Sequence, residues 1–304
     1  MNRAVRVTVP ATSANLGPGF DALGLALDLH DVVEAHTVPA ESGGSVRVAV
    51  EGVGAGALPQ DESHLVVRAI HAIYHWMYRE EPPGLDLRCI NAIPHGRGLG
   101  SSAAAIVAGV LAARALIEGG LDLVDDETVL AMCAGLEGHP DNVAPCLLGG
   151  LTLAWNPGER ARAIRLEIHP DIRPILCVPD HAVLTDAARG LLPDVVPHTD
   201  ASRNAARVAL LVAALRGRPD LLLDATEDLL HQSYRAAAMP ETSALVASLR
   251  ARGLPAVVSG AGPSVLVLAG PADSPDAVRE AIDASGWDVR GLAVDNAGAV
   301  VDIL

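Results

Sequence analysis

The chain has 304 residues, half of them apolar and only 2% aromatic, so it can bury a large, mostly aliphatic core in one or two domains. Its 37 acidic and 22 basic residues give a formal charge of −15, which argues against a basic surface for nucleic acid. No apolar run reaches the ~20 residues that a membrane helix needs, and the start lacks a signal-peptide core, so we expect no membrane partner.

Strand-like and helix-like segments alternate along the chain, which predicts an α+β fold. In the first half we expect strands over 5–9, 32–38, 46–51, 85–93 and 151–155, and helices over 65–78, 103–116 and 128–136. In the second half we expect strands over 175–178, 256–258 and 264–268, and helices over 202–215, 242–250 and 276–284. Two short strands are expected at the end of the chain.

The polar stretch from Asn156 to Arg160 is the best candidate for a domain junction. We therefore expect one domain over residues 1–157 and a second over residues 158–304. A cleft between two such lobes is the natural place for an active site.

The four cysteines are widely spaced and form no Cys-x-x-Cys pair. They are typical of buried thiols in a reducing compartment, and not of a metal site or a disulfide framework. We therefore expect a cytoplasmic protein. The sequence leaves its oligomeric state open, with a homodimer as one expectation.

The loop between the predicted strand 85–93 and helix 103–116 holds three glycines and two serines between Gly96 and Ser102. Glycines let backbone N–H groups turn toward one point, and the helix start adds a partial positive charge. Serine hydroxyls there can cap the helix, bind phosphate oxygen or reach a magnesium ion. The pattern predicts phosphate binding, with a plain capped turn as the alternative.

The chain contains no lysine, since all 22 basic residues are arginine. This excludes a P-loop lysine, a protein-kinase lysine, a Schiff base and a lysine general base. Phosphate chemistry in this protein must therefore depend on backbone amides, metal and arginine.

Two further loops carry polar side chains suited to binding. The first leaves the opening strand and contains Asn15, which can donate and accept, and Asp21, which can accept from an ammonium group. The second runs from Glu137 to Pro145, where two carboxylates four residues apart can bind magnesium or orient a hydroxyl. Ordinary turns are the alternative for both, and a helix-ending residue is the favoured interpretation of His139 over a base.

A glycine turn over 259–264 and several arginines lie in the second half. Glycines at a strand–strand turn allow a ligand to approach closely, although a plain hairpin explains them equally well. Arginine is the side chain best suited to holding a carboxylate by two parallel hydrogen bonds. Physics alone does not select which arginine would do so.

Taken together, the segments 10–21, 94–104 and 259–264 resemble the three motifs of the GHMP small-molecule kinases. The segments 10–21 and 139–150 further resemble the homoserine kinases within that family. The resemblance runs from residue 7 to about residue 268 in the right order. It implies an α+β, two-lobed GHMP kinase fold with an S5-like N-terminal domain for ATP and a ferredoxin-like C-terminal domain. The implied activity is ATP-dependent, Mg²⁺-assisted phosphorylation of L-homoserine to O-phospho-L-homoserine, in threonine biosynthesis.

The resemblance also implies residue roles. The implied ATP loop comprises Pro94, His95, Gly96, Arg97, Gly98, Leu99, Gly100, Ser101, Ser102, Ala103 and Ala104. The implied homoserine pocket comprises Asn15, Asp21, Asp141, Asn142, Thr185, Arg189, Arg235 and Gly262, with the arginines on the carboxylate. Ser102 and Glu137 match the magnesium pair, and Asp141 is the candidate acceptor of the hydroxyl proton.

Two positions depart from the family pattern. His64-Leu65 stands where the family often has Asn-Leu before the helix that lines the adenine pocket. Glu137 lies only four residues before Asp141, whereas some homoserine kinases have extra residues there.

Two other functions are compatible with parts of the pattern. One is a related kinase acting on a sugar or an isoprenoid precursor, which the opening loop and the carboxylate-binding arginines disfavour. The other is a catalytically silent binding protein on the same fold, which would be expected to lose the glycine loop or the acidic pair.

Overall fold

The structure is a computed structural model that describes residues 3–38, 44–78, 84–158, 160–183, 188–271, 273–282 and 286–304. Two sheets organise this part of the chain, one of seven strands and one of four. Helices cover both sheets and bury an aliphatic core.

The first sheet has the strand order β11-β1-β2-β4-β3, and β5 extends it by pairing with β2 and β6. Its pairs are antiparallel except β3 with β4. The strands are β1 (Ala4–Ala14), β2 (Leu23–Val38), β3 (Val46–Gly52), β4 (Gly84–Asn91), β5 (Leu151–Trp155), β6 (Arg162–Leu166) and β11 (Val300–Ile303). Strands β6 and β11 lie beyond residue 157 and yet pair in this sheet, and the division of the chain at 157/158 stays a prediction.

The first sheet is covered by α1 (Leu65–Tyr78), α2 (Ser101–Leu116), α3 (Gly120–Leu123), α4 (Asp126–Glu137) and α5 (Val143–Leu148). Helix α2 is rich in alanine and buried over most of its length, because it packs on α1, α4 and β1 at once. Gly109 permits the close approach to α1, since a Cβ there would lie 2.6 Å from the Val66 carbonyl oxygen. This packing fixes the position of the α2 N-terminus, where the glycine loop ends.

The second sheet is antiparallel, with the order β10-β7-β9-β8. Its strands are β7 (Arg173–Pro179), β8 (Ala256–Val258), β9 (Val265–Ala269) and β10 (Trp287–Gly291). The helices of this half are α6 (His198–Gly217), α7 (Leu222–Ala225), α8 (Gln232–Arg235), α9 (Pro240–Ala251) and α10 (Pro275–Ala281), with 3-10 turns at Pro219–Leu221 and Ala236–Ala238. The turn between β8 and β9 carries the glycines predicted to face a ligand.

All four cysteines are buried and free, as expected. Burial raises the pKa of the Cys89 thiol to about 12 and that of Cys177 to about 12, so neither is a ready nucleophile. In the described part of the chain, no helix combines the length and the apolarity needed to cross a membrane.

Candidate active site

Three glycines with a left-handed backbone conformation lie in the loop that leads into α2. Gly96, Gly98 and Gly100 have φ of 63°, 71° and 69°, values that side chains rarely permit. Gly100 is the N-cap of α2, and no side chain of the described residues caps that helix end. The first-turn N–H groups therefore stay available for an anion, as the sequence predicted.

Neighbouring segments hold this loop in place. The Leu99 carbonyl accepts from the Thr12 amide at 3.0 Å, and the Gly98 carbonyl accepts from Ser259 Oγ at 2.7 Å. Arg97 donates to the backbone carbonyls of Pro179 and Asp180. Arg97 therefore ties the loop to the end of β7, and its part in the ATP loop stays a prediction.

The predicted magnesium pair meets in space. Ser102 Oγ, in the first turn of α2, donates to Glu137 Oε2 at 2.7 Å. Glu137 ends α4, and Gly138 follows it with φ 94°, which turns the chain sharply away. Burial raises the pKa of Glu137, so a cation beside this carboxylate would relieve an electrostatic cost. The tight glycine turn explains how a glutamate only four residues before Asp141 still reaches Ser102.

Asp141 is buried on the turn between α4 and α5, and its Oδ1 lies 2.6 Å from His139 Nδ1. Burial opposes the charged form of His139, but the hydrogen bond and charge of Asp141 outweigh it and raise the pKa of His139. Asn142 Oδ1 accepts from Thr12 Oγ1 at 2.8 Å, which links this turn to β1. His139 therefore belongs to the site as the partner of Asp141.

The loop after β1 has a strained backbone. Asn15, Leu16 and Asp21 adopt φ of 69°, 50° and 53°, which is uncommon for residues with side chains. Asn15 supports this conformation, because its Oδ1 accepts from the Asp21 amide at 3.0 Å and its Nδ2 donates to the Gly260 carbonyl at 2.9 Å. These bonds hold the Asp21 backbone beside the β8–β9 turn.

Asp21 and Arg189 form a two-pronged ion pair. Arg189 donates from one terminal nitrogen to Asp21 Oδ1 at 2.7 Å and from the other to Oδ2 at 3.1 Å. The family resemblance implies that these groups bind opposite ends of a substrate, whereas in this structure they bind each other.

Arg235 is buried on α8, with only 2% of its surface exposed. One terminal nitrogen contacts His231 Nδ1 at 3.1 Å, and Nε has no hydrogen-bond partner in the described part of the chain. Burial and the nearby charge of Arg189 lower the pKa of Arg235. A buried guanidinium with an unused donor is a site for an anion.

Phe20 contacts both arginines, and His231 contacts Arg235. The Phe20 ring stacks on His231 with centroids 5.1 Å apart, and the guanidinium carbons of Arg189 and Arg235 lie 5.5 Å and 5.3 Å from the Phe20 centroid. His231 Nε2 lies 2.8 Å from the Gly17 carbonyl, so donation there leaves Nδ1 to accept from Arg235. No local pattern in the sequence indicates a role for either residue, although Phe20 is the only phenylalanine of the chain.

The β8–β9 turn forms one wall of the cavity. Gly260 and Ala261 line the cavity, whereas Gly262 is absent from its described lining. A Cβ at Gly262 would instead lie 2.5 Å from Met239 Sδ, so that glycine packs against α9. The substrate role of Gly262 stays a prediction, and Gly260 and Ala261 are the residues of this turn that line the cavity.

One cavity of about 80 Å³ collects most of the predicted residues. Its lining comprises Asn15, Asp21, Gly96, Gly98, Leu99, Gly100, Ser101, Ser102, Glu137, His139, Asp141, Asn142, Arg189, Arg235, Gly260 and Ala261. Of the predicted ATP-loop residues, His95 and Ala104 line an adjoining pocket, while Pro94, Arg97 and Ala103 are absent from the described lining of both. Thr185 lies outside the described residues.

This geometry can be compared with known proteins. Residues 64–150 match the family model of the GHMP kinases N terminal domain, and residues 210–287 match that of the GHMP kinases C terminal. A homoserine kinase of Streptomyces avermitilis is 55% identical over 98% of this chain and 95% of that protein. A homoserine kinase of Clavibacter michiganensis subsp. michiganensis is 50% identical over 99% of this chain and 95% of that protein. The chain belongs to the homoserine kinase family of the GHMP kinases.

A solved homoserine kinase structure supports the same assignment. The crystal structure from Cytophaga hutchinsonii aligns with a TM-score of 0.84 at 28% identity, covering 98% of this chain and 97% of that one. The α+β GHMP kinase fold predicted from the three motifs is therefore confirmed. The curated relatives match this homoserine kinase family member over nearly its whole length.

The adjoining pocket of about 290 Å³ opens beside the loop of this GHMP kinase. Its apolar lining includes Val9, Leu58, Leu65 and Ala105, and Ser101 and Ser102 line both cavities. His64 is buried there, and its Nδ1 accepts a hydrogen bond from the Val66 backbone amide, with the two nitrogens 3.3 Å apart. Burial lowers the pKa of His64, so the ring is neutral and its Nε2–H is left as a donor. His64 thus stands in the pocket wall, at the position where the sequence departs from the family's Asn.

Proposed function

We propose that this protein transfers the γ-phosphoryl group of ATP to the side-chain hydroxyl of L-homoserine, giving O-phospho-L-homoserine and ADP. The observation that carries this proposal is the opposition of two kinds of site across one cavity. Backbone amides at the α2 N-terminus face Asp21, Arg189 and the incompletely paired Arg235. That arrangement suits an amino-acid zwitterion held with its hydroxyl toward a polyphosphate.

The apolar pocket beside the loop suits the adenine ring of ATP. It is continuous with the phosphate loop through Ser101 and Ser102, and its wall offers a neutral His64 as a hydrogen-bond donor to a ring nitrogen. The triphosphate would run from this pocket along Gly96–Ser102. Because the loop carries no lysine, main-chain N–H groups provide the protein's local stabilisation of phosphate charge.

The donor atoms beside the loop fit magnesium. Ser102 Oγ and the Glu137 carboxylate are hard oxygen ligands already in contact, and Mg²⁺ in phosphoryl-transfer sites takes one or two protein ligands plus phosphate oxygens. We propose that these two residues hold the ion. When bound, Mg²⁺ would neutralise charge on the phosphate oxygens.

The transfer forms a bond between the homoserine oxygen and the γ-phosphorus and breaks the bond from that phosphorus to the β–γ bridging oxygen. We propose that the hydroxyl proton passes to Asp141. His139 occupies Asp141 Oδ1 and leaves Oδ2 without a hydrogen bond among the described residues. A loose transition state places more weight on positioning than on a strong base, which suits a carboxylate.

The proposed test is release of ADP with L-homoserine, mevalonate and galactose assayed side by side. L-Homoserine should be turned over with a kcat/KM at least about 10²-fold above the other two, because only it carries both charges that the site complements. Equal turnover of mevalonate or galactose would contradict the assignment. No ADP release with any of the three would favour a catalytically silent protein.

Three further expectations from the sequence belong with this proposal. We propose a cytoplasmic location and a homodimer, the latter checked by sedimentation. We also propose domains over 1–157 and 158–304, for which limited proteolysis should give a first cut near residue 158.

A further inference from the structure

Two charged groups of the amino-acid site, Asp21 and Arg189, neutralise each other before a substrate binds. Both oxygens of Asp21 accept from Arg189, and both terminal nitrogens of Arg189 are used in doing so. The two side chains are 34% and 40% exposed, so solvent screens the pair and weakens it. A ligand that offers equivalent charges can therefore replace either partner.

The two partners differ in how firmly they are held. Asp21 is fixed through its backbone, whose amide donates to Asn15, and Asn15 in turn is anchored on the Gly260 carbonyl. Arg189 is a long, partly exposed side chain whose guanidinium rests over Phe20. An exchange of partners would move the guanidinium of Arg189 and leave Asp21 in place.

Arg235 adds a positive charge that has no carboxylate bonded to it among the described residues. It is buried 5.3 Å above the same Phe20 ring, and its nearest hydrogen-bonding partner is the neutral acceptor His231 Nδ1. Burial lowers the pKa of His231, which keeps that ring uncharged. Around the Phe20 ring two guanidinium groups therefore meet one carboxylate, that of Asp21. The charges of Asp228 and Asp141 also act on Arg235, but neither makes a hydrogen bond to it among the described residues, so its guanidinium can still accept a ligand carboxylate.

We propose that the substrate binds by exchanging ion pairs. Its ammonium displaces Arg189 from Asp21, and its carboxylate takes the place of Asp21 on Arg189 while also reaching Arg235. This inference rests on the proposed function, since it presumes a zwitterionic substrate in this cavity. The internal pair then acts as a built-in competitor that only a zwitterion can replace without leaving a charge unpaired.

The exchange makes a reciprocal prediction with single-charge analogues. 4-Hydroxybutanoate lacks the ammonium, so it can use Arg189 as well as Arg235 only by breaking the pair and leaving Asp21 unpaired. 3-Aminopropan-1-ol can take both oxygens of Asp21 only by leaving Arg189 unpaired. The Asp21→Asn enzyme should turn over 4-hydroxybutanoate with a kcat/KM about fivefold or more above wild type. Arg189→Gln should do the same for 3-aminopropan-1-ol. Both variants should lose about ten- to a hundredfold with L-homoserine.

The competing arrangement keeps Asp21 on Arg189 while a spare lone pair of Asp21 accepts the ammonium. If neither variant gains activity with its analogue, the exchange is overturned. Asp220→Asn is a matched control, because Asp220 makes a comparable two-pronged pair with Arg218 on the surface. The KM for ATP should stay unchanged in all three variants, which reports an intact fold.

A crystal structure of the wild-type protein with L-homoserine tests the exchange without any variant. Arg189 and Asp21 should no longer be hydrogen-bonded to each other, and each should contact the ligand. Retention of the two-pronged pair with ligand bound would overturn the proposal. Failure of the wild type to phosphorylate L-homoserine would instead remove the proposed function itself, so the two failures are distinguishable.

Discussion

The two sides of the cavity to which we assign the phosphates and the amino acid would recognise charge by different means. On the phosphate side, the loop from Gly96 to Ser102 uses main-chain groups locked by bonds from Thr12 and Ser259. On the amino-acid side, Asp21, Arg189 and Arg235 are side chains, two of them partly exposed and paired with each other. A main-chain site is rigid and accepts any polyphosphate of the right shape. A site of mobile charges can discriminate between ligands by what each must displace.

Crowding the phosphate loop should give the largest effect. A Cβ at Gly100 would overlap Thr12 Oγ1, the hydroxyl that bonds Asn142, and the φ of 69° adds strain. We expect Gly100→Ala to lower kcat/KM by about 10³-fold, because the aligned N–H donors at the start of α2 shift. Steady-state rates at varied ATP check this.

Gly119→Ala separates crowding from backbone strain. Gly119 has a φ of 71°, and a Cβ added there would meet only Leu123 Cδ1, at 3.8 Å, among the described residues. We expect it to cost about 1 kcal/mol of unfolding free energy while kcat/KM stays at the wild-type value. Equal activities of the two variants would show that the exact position of the loop is unimportant.

Removing the charge next to Ser102 should give the next largest effect. Glu137→Gln keeps the shape and the contact with Ser102 but removes the proposed magnesium ligand's charge. We expect kcat to fall by roughly 10²-fold and the magnesium requirement to rise. Glu127→Gln, in the first turn of the same helix, is the control. A magnesium titration that overlays wild type would mean that another residue holds the ion.

Changing the buried arginine should affect only the amino-acid side. Lysine at position 235 keeps the charge but cannot reach His231 and a carboxylate together, as the fork of arginine can. We expect Arg235→Lys to reduce kcat/KM for L-homoserine by about ten- to a hundredfold and to leave the KM for ATP unchanged. Arg203→Lys on α6 is the control, since Arg203 is exposed. A raised KM for ATP would assign Arg235 to the nucleotide site.

Most elements were predictable because their apolar patterns are regular. The bounds predicted for 65–78, 151–155 and 256–258 agree with α1, β5 and β8. The first part of β2 was missed because Leu23–Leu27 is buried throughout and shows no alternation. Strand β6 was missed because its two arginines and exposed edge position remove the apolar signal of a strand.

The sequence predicted the chemistry of the site better than its contacts. Gly96, Gly98 and Gly100 stood out because their pattern reflects a local backbone requirement. The pairing of Asp21 with Arg189 joins residues 168 positions apart, and no local pattern encodes it. Phe20 and His231 were missed for the same reason, since their roles exist only once α8 packs on the opening loop.

The smallest expected effect is a pH dependence of stability that comes from His231, on the amino-acid side of the cavity. His231 is buried and its pKa is lowered mainly by that burial, against the charge of Asp228. In the unfolded chain a histidine titrates near pH 6.5, so as the pH falls below about 6.5 the unfolded state binds a proton that the folded state refuses. Stability from this group is therefore complete above that pH and is lost as the pH falls toward the lowered folded-state pKa.

His231→Gln tests this contribution, because glutamine can still donate to Gly17 and accept from Arg235 but cannot titrate. Between pH 6.5 and 5, one extra proton bound by the unfolded state lowers the free energy of unfolding by about 1.4 kcal/mol per pH unit. The free energy of unfolding of the variant should therefore fall with decreasing pH less steeply than that of wild type, by up to this amount per pH unit. Urea unfolding at pH 7, 6 and 5 measures it, with the exposed His198→Gln as control. Parallel profiles for wild type and His231→Gln would mean that His231 takes up its proton as readily in the folded protein. The neutral acceptor that supports Arg235 would then be absent at low pH, and the amino-acid side would carry a third positive charge there.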